Sequence, residues 1–151
     1  MATLKQRLVD DMNEALKARE AGRQRLSAIR LLRAAVLNAE KAQGDLDDIG
    51  VLTVLAREAK RLEDSVAEYK SLGHADRAAQ LAAELAIVRG YLPRPLGPDE
   101  VAVAVREAIE ETGASGPADM GRVMKALMPR LQGRADGRQV SEEVKRLLTR
   151  P

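Results

Sequence analysis

"YLPRPLGPDE", Tyr91 to Glu100, sets three prolines and a glycine within ten residues, and the rest of the chain is read outward from it. Proline carries no N–H and restrains the residue before it, so Pro93 stops any helix arriving from the N-terminal side. Pro95 and Gly97 keep the chain extended. Pro98, with Asp99 and Glu100 behind it, suits the first turn of a new helix, where a missing N–H costs nothing and acidic side chains meet the positive end of the dipole. The stretch therefore predicts a boundary, with an N-terminal domain over 1–92 and a C-terminal domain over 98–151.

On both sides of that boundary the apolar residues repeat at helical spacing. Leu4, Leu8, Met12 and Leu16 recur every four residues from Thr3 to Arg19, and Thr3 with Gln6 forms a capping box. Ala21-Gly22 is a stop. A second helix, about Gln24 to Gln43, sets Leu26, Ile29, Leu32, Val36 and Leu37 on one face and ends at Gly44. The acidic turn "GDLDDIG" leads into a third helix that runs through Ser71. Its apolar positions, Leu52, Leu55, Ala59, Leu62, Val66 and Tyr69, alternate by three and four. Gly73 ends it, and a fourth helix, about Ala75 to Tyr91, presents Ala78, Leu81, Leu85 and Val88. Beyond the boundary, a fifth helix uses Val101, Val105 and Ile109 and stops at Gly113. Ser115 and Pro117 open a sixth, with Met120, Val123, Met124 and Leu127 inward, and a loop follows Pro129. Asp136 and Gln139 cap a seventh, which carries Val140, Val144, Leu147 and Leu148. The expectation is an all-α protein: a four-helix bundle-like N-terminal domain, then a small three-helix C-terminal one.

Composition narrows the class. The 151 residues are 45% hydrophobic and 32% charged, a balance of folded proteins rather than disordered ones. Tyr69 and Tyr91 are the only aromatic residues, so the core is aliphatic. With no cysteine there are no disulfides, thiolate zinc sites or thiol nucleophiles. "MATLKQRLVDDMNEALK" has charges every few residues and no apolar stretch like that of a signal peptide, and no window approaches a membrane span. These features read as a soluble, cytoplasmic helical protein with no membrane association.

A search for catalysis finds no complete set. His74 is the only histidine and follows a helix-stopping glycine, the place of a surface turn residue. Without a second histidine or a cysteine, nucleophile–histidine constellations are closed. The pairs Asp47-Asp48 and Glu110-Glu111 are neighbours that point roughly 100° apart on a helix, unlike paired acids or metal ligands. Gly116 to Gly121 has the span of a phosphate loop, but Arg122-Val123 stands where Lys-Ser/Thr is required and no strand precedes it. No catalytic residue, metal ligand or cofactor is assigned.

The unusual run is "DMGRVMKALMPRLQGRADGRQV", Asp119 to Val140. Arg122 and Lys125 lie opposite the side formed by Met120, Val123, Met124 and Leu127. The methionines read most simply as core. Gly121 near the helix start allows close approach, either of a partner's backbone or of another helix. In the following loop, Arg134 and Arg138 surround the N-terminus of the seventh helix, where free N–H groups, the dipole and guanidinium groups favour phosphate. Asp136 opposes an anion there and has a neutral use as a cap. Residues 118–151 hold eight basic and four acidic residues, a net of +4, while the other 117 carry −2. Such segregation points to an anionic partner, although solvation alone also accounts for surface charge.

These residues carry a resemblance. The chain resembles the YqeY family, related to the C-terminal helical and tail region of the GatB subunit of glutamyl-tRNA(Gln) amidotransferase. The landmarks are "LSAIRLLRAAVLNAE" (Leu26–Glu40), "LTVLAREAKRLEDS" (Leu52–Ser65), "YLPRPL" (Tyr91–Leu96) and the run from Asp119 to Val140. The resemblance covers nearly the whole chain. It implies a two-domain all-α fold and a link to tRNA-dependent amidation, with tRNA and an amidotransferase or other protein as partners. The region it resembles is a tRNA-contacting appendage. Activation and amide transfer belong to a catalytic body that this chain lacks, so the label of a carbon–nitrogen ligase with glutamine as amido donor is inherited by relationship only.

Two function classes stand side by side. One is a tRNA-binding or amidotransferase-associated module, with Gly121, Arg122, Lys125, Arg134 and Arg138 as its RNA-binding residues. The other is a helical protein-interaction module without RNA contact, favoured by the near-neutral total charge. The scarcity of aromatics argues against readout of single-stranded bases, though not against recognition of a folded tRNA by phosphate and shape. Arg23, Arg25, Arg30 and Arg33 are the fallback cluster.

Overall fold

A computed structural model describes residues 3–131 and 134–149. Gln132 and Gly133 of the basic loop, and Arg150 of the basic C-terminal set, lie outside the described residues. Among the described residues seven α-helices follow in order: α1 (Leu4–Lys17), α2 (Arg23–Gln43), α3 (Asp48–Ser71), α4 (Ala75–Arg89), α5 (Pro98–Thr112), α6 (Met120–Leu131) and α7 (Gly137–Leu148). No strand occurs among the described residues, and the protein is all-α. Contacts divide the chain into two compact units, Met1–Pro93 and Arg94–Pro151. No helix among the described residues is long and apolar enough to cross a membrane.

In the first unit α2 touches α1, α3 and α4, and α4 lies back along α3 after a short turn. Leu8, Ile29, Leu32, Val51, Leu55 and Val88 form the driest part of the core. Apolar spacing alone picks some of the wrong neighbours. A repeat of four residues advances 400° on a helix, so it drifts about 40° at each step. By Leu16 the drift is complete: Leu16 is 45% exposed and Ala15 is buried in its place. Likewise Leu37 is 53% exposed where Val36 is buried, and Val51 rather than Leu52 faces the core.

The expected capping box is half met. Thr3 Oγ1 accepts the Gln6 N–H at 3.1 Å, but the Gln6 side chain turns to Asp10 instead of closing the box. The first helix ends at Lys17, two residues before the expected Arg19. Arg19 takes a left-handed backbone (φ 54°) and a short 3₁₀ turn, Arg19–Gly22, follows. That turn presses Gly22 against α1: a Cβ there would lie 2.2 Å from the Ala15 carbonyl oxygen. Only glycine fits.

Tyr91 ties the end of α4 back to α1. Its ring is buried, its hydroxyl donates to Asp11 Oδ2, and the Arg7 guanidinium sits 4.7 Å from the ring centroid. Arg25 Nη2 reaches the same Asp11 oxygen at 3.4 Å. Burial, then the Asp11 carboxylate, pushes the tyrosine hydroxyl up to about 12 from 10.0.

The second unit is smaller and built mainly from valine. Val101, Val105, Val123, Val140 and Val144, with Leu127 and Leu131, make its core. Gly97 precedes α5, Pro98 occupies its first turn, and Gly113 ends it at φ 66°, a conformation that favours glycine. The helix expected to stop at Pro129 continues to Leu131. Proline removes one hydrogen bond from the ladder, but buried Val123, Leu127 and Leu131 hold the turn on α5 and α7.

Candidate functional site

The start of α6 is organised by Asp119. A 3₁₀ turn, Pro117–Asp119, leads into the helix, and Asp119 Oδ2 accepts the Ser115 N–H at 2.9 Å. Its other oxygen meets Arg122 Nη2 at 3.0 Å. The Ser115 N–H foremost, helped by the Arg122 charge and opposed by burial, holds this carboxyl below its ordinary value of 3.8. Arg122 is thus oriented by its own motif. Val123, Leu127 and Leu131 are buried, while Met120 and Met124 are half-buried against the core, so the methionines pack rather than open a groove.

The opposite face is bare. Gly121, Arg122, Lys125, Ala126 and Pro129 are all exposed. A Cβ on Gly121 would meet nothing within 4 Å. No helix among the described residues packs against this glycine. Lys125 makes no ion pair or hydrogen bond among the described residues.

The far end of α6 is differently committed. Arg130 pairs with Glu107 at 2.8 Å and Glu111 at 3.4 Å on α5. Arg134 is half-buried and straps the loop to the segment before α5. Its carbonyl accepts the Leu96 N–H at 2.7 Å, and its Nε donates to the Arg94 carbonyl at 3.4 Å. A cleft of about 510 Å³ beside it is lined by Leu96, Glu100, Val103, Arg130 and Arg134. Asp136 caps α7 by accepting the Arg138 N–H at 3.0 Å, and Arg138 points to solvent near Glu142, 3.5 Å away.

The four cations therefore form two pairs. Arg122 and Lys125 occupy the first two turns of α6, whereas Arg134 and Arg138 follow its other end, and a 12-residue helix is roughly 18 Å long. Folding also changes the charge argument. Residues 118–151 are positive, but α5 brings Asp99, Glu100, Glu107, Glu110 and Glu111 into the same unit. Arg94–Pro151 then holds ten basic and nine acidic residues, and the first unit also nets +1. The excess of basic residues belongs to the segment from α6 onwards, not to the whole unit.

In the first unit the fallback cluster is mostly engaged. Arg23 reaches Glu20 at 4.0 Å, Arg25 reaches Asp11 and Glu14, and Arg33 donates to the Met12 sulfur at 3.3 Å. His74 precedes α4 as an exposed turn residue, edge-on to Tyr69 at 6.0 Å. No group of three or more Asp, Glu or His side chains among the described residues is placed to hold a metal ion. Motif and charge patterns do not single out Glu58, which is 9% exposed and the one buried charged side chain among the described residues. Its spacing does carry a signal: it stands three residues after Leu55 and four before Leu62, on the packing seam itself.

No curated protein matches the chain. The family described as Yqey-like protein matches it over residues 5–148, from within α1 to the end of α7. That span takes in both units and the Asp119–Val140 run, and the chain belongs to the YqeY family.

Proposed function

We propose that this protein binds a folded, phosphate-rich RNA, with tRNA as the class its family relationship favours, and that it presents this RNA to an amidotransferase-type enzyme without catalysing amide transfer itself. The observation that carries the reading is the outward face of α6. An exposed glycine whose Cβ position meets nothing within 4 Å stands beside an oriented Arg122 and a Lys125 that is unpaired among the described residues. Gly121 has no positive φ that would require glycine, and glycine in a helix costs about 0.5–1 kcal/mol relative to alanine. A flat, cationic stripe suits the close approach of a sugar–phosphate backbone. Arg138 extends the cationic surface at α7, while Asp136 makes that helix end the weaker anion position. Arg134 contributes chiefly as a strap.

A protein partner without RNA contact is the second reading. The near-neutral second unit and the partly apolar cleft at Leu96 and Val103 favour it. A titration of folded tRNA at two salt concentrations separates the two. Wild type binds at low salt and weakens steeply as salt rises. Arg122→Ala with Lys125→Ala lowers the log–log salt slope by about 0.7–0.9 for each phosphate no longer neutralised. If wild type does not bind at low salt, the RNA reading fails and the protein-partner reading takes its place. Unchanged affinity in the double variant moves the site off α6.

A further inference from the structure

Glu58 stands where stability alone would place an aliphatic residue. It lies on the α3 seam between buried Leu55 and Leu62. An ionised carboxylate offers about four acceptor positions, yet the hydrogen bond it receives from Arg61 Nη1 is long, at 3.3 Å, and Arg61 is largely exposed. Replacing such a buried, thinly compensated charge by an apolar residue is commonly neutral or stabilising. A charge kept in that position calls for a use.

Glu58 opens onto a groove of about 550 Å³ between α2, α3 and α4, within the ~300–1,000 Å³ range of small-molecule sites. Arg30 comes from α2, Arg61 from α3, and Arg77 and Glu84 from α4, over the buried side chains of Leu62 and Leu81. Arg77 donates to Gln80 at 3.2 Å. Arg30 and Glu84 make no ion pair or hydrogen bond among the described residues. Apart from the Glu58–Arg61 pair, charges of both signs thus face one cavity without pairing with one another among the described residues. A simple anion placed there meets Glu58 and Glu84, and a simple cation meets three guanidinium groups. A molecule carrying both charges satisfies both sets, since a guanidinium pairs with a carboxylate through two parallel hydrogen bonds and a buried carboxylate accepts from an ammonium.

We infer that this groove binds a small zwitterion of the α-amino-acid class. Its carboxylate faces Arg30 and Arg77, its ammonium faces Glu58 and Glu84, and its side chain lies over Leu62 and Leu81. The test is an amide-resolved NMR titration of the full chain with individual free amino acids. N-acetylated and methyl-ester forms of any that bind serve as single-charge controls. The expected result is saturable shifts confined to residues around Arg30, Glu58 and Arg77. Either control binds about tenfold or more weakly, as loss of a hydrogen bond to a charged group predicts. Glu58→Gln and Arg30→Ala each weaken binding to a similar degree, and Glu58→Gln melts no lower than wild type. The inference is overturned by the absence of shifts with any amino acid at about 10 mM, a concentration that would register even millimolar affinity. Acetylated or esterified forms that bind as well as the parent also overturn it, as does unchanged affinity in both variants.

Discussion

The two units of this protein use polar groups in opposite ways. The first, Met1–Pro93, places them inside: Glu58 on the α3 seam, and Tyr91 buried with its hydroxyl on Asp11. The second, Arg94–Pro151, has a core of valine, leucine and alanine with no buried polar or charged side chain among its described residues. Interior polar groups stabilise only in one arrangement, so the first unit suits a defined internal site. A dry core with a charged exterior leaves a surface free for broad contact, as a folded RNA or a protein partner requires. The size difference points the same way, because a unit of this length buries a smaller fraction of its surface and has less stability to lose.

The contrast breaks most visibly if the smaller core is cut. Leu127 is fully buried in α6, and Leu→Ala at such sites costs about 2–5 kcal/mol. At about 0.05–0.15 kcal/mol per residue, the second unit has only some 3–9 kcal/mol in total. Leu127→Ala is therefore expected to melt residues 94–151 selectively, with amide signals of the first unit retained and new proteolysis near residues 93–98. Loss of both sets of signals together would mean that the units do not fold separately.

Two glycines sharpen the comparison with effects of opposite sign. Gly22→Ala drives a Cβ into the Ala15 carbonyl and is expected to cost about 2–3 kcal/mol in thermal or denaturant unfolding. Gly121→Ala meets open space and is expected to stabilise the second unit by about 0.5–1 kcal/mol. If Gly121→Ala leaves the stability gain intact but lowers tRNA affinity, the glycine serves the partner. Destabilisation by Gly121→Ala would show instead that the α6 face is covered in solution.

The remaining effect is expected at Tyr91. Tyr91→Phe removes a hydrogen bond to Asp11 while Arg25 stays beside that carboxylate, a loss of about 1.5 kcal/mol at neutral pH. The pH dependence is more diagnostic. Because the folded-state hydroxyl titrates near 12 and the ordinary value is 10.0, the folded protein holds this proton longer than the unfolded chain. Its contribution is complete below pH 10 and declines as pH rises through 12. Melting of the first unit over that window should fall more steeply in wild type than in Tyr91→Phe, and parallel curves would remove the buried hydroxyl from the account.

Much of this architecture follows from sequence alone, because helix punctuation acts over four residues or fewer. Thr3, Asp136, Pro93, Pro98, Gly44 and Gly113 each act through their own backbone or the next turn, and the helices begin or end at these residues or within a turn of them. Ser115 and Pro117 likewise mark the opening of α6. Tertiary structure decided whatever depends on neighbours distant along the chain. It chose Ala15 over Leu16 and Val36 over Leu37, since helical drift and the facing helix determine which of two adjacent apolar residues is covered. It turned Arg130 towards Glu107 and Glu111, used Arg134 as a strap and left Lys125 unpaired among the described residues, because charge pairing operates through space. It left Gly121 bare and buried Glu58 for the same reason: the composition of a helix face is written locally, but what stands opposite that face is not.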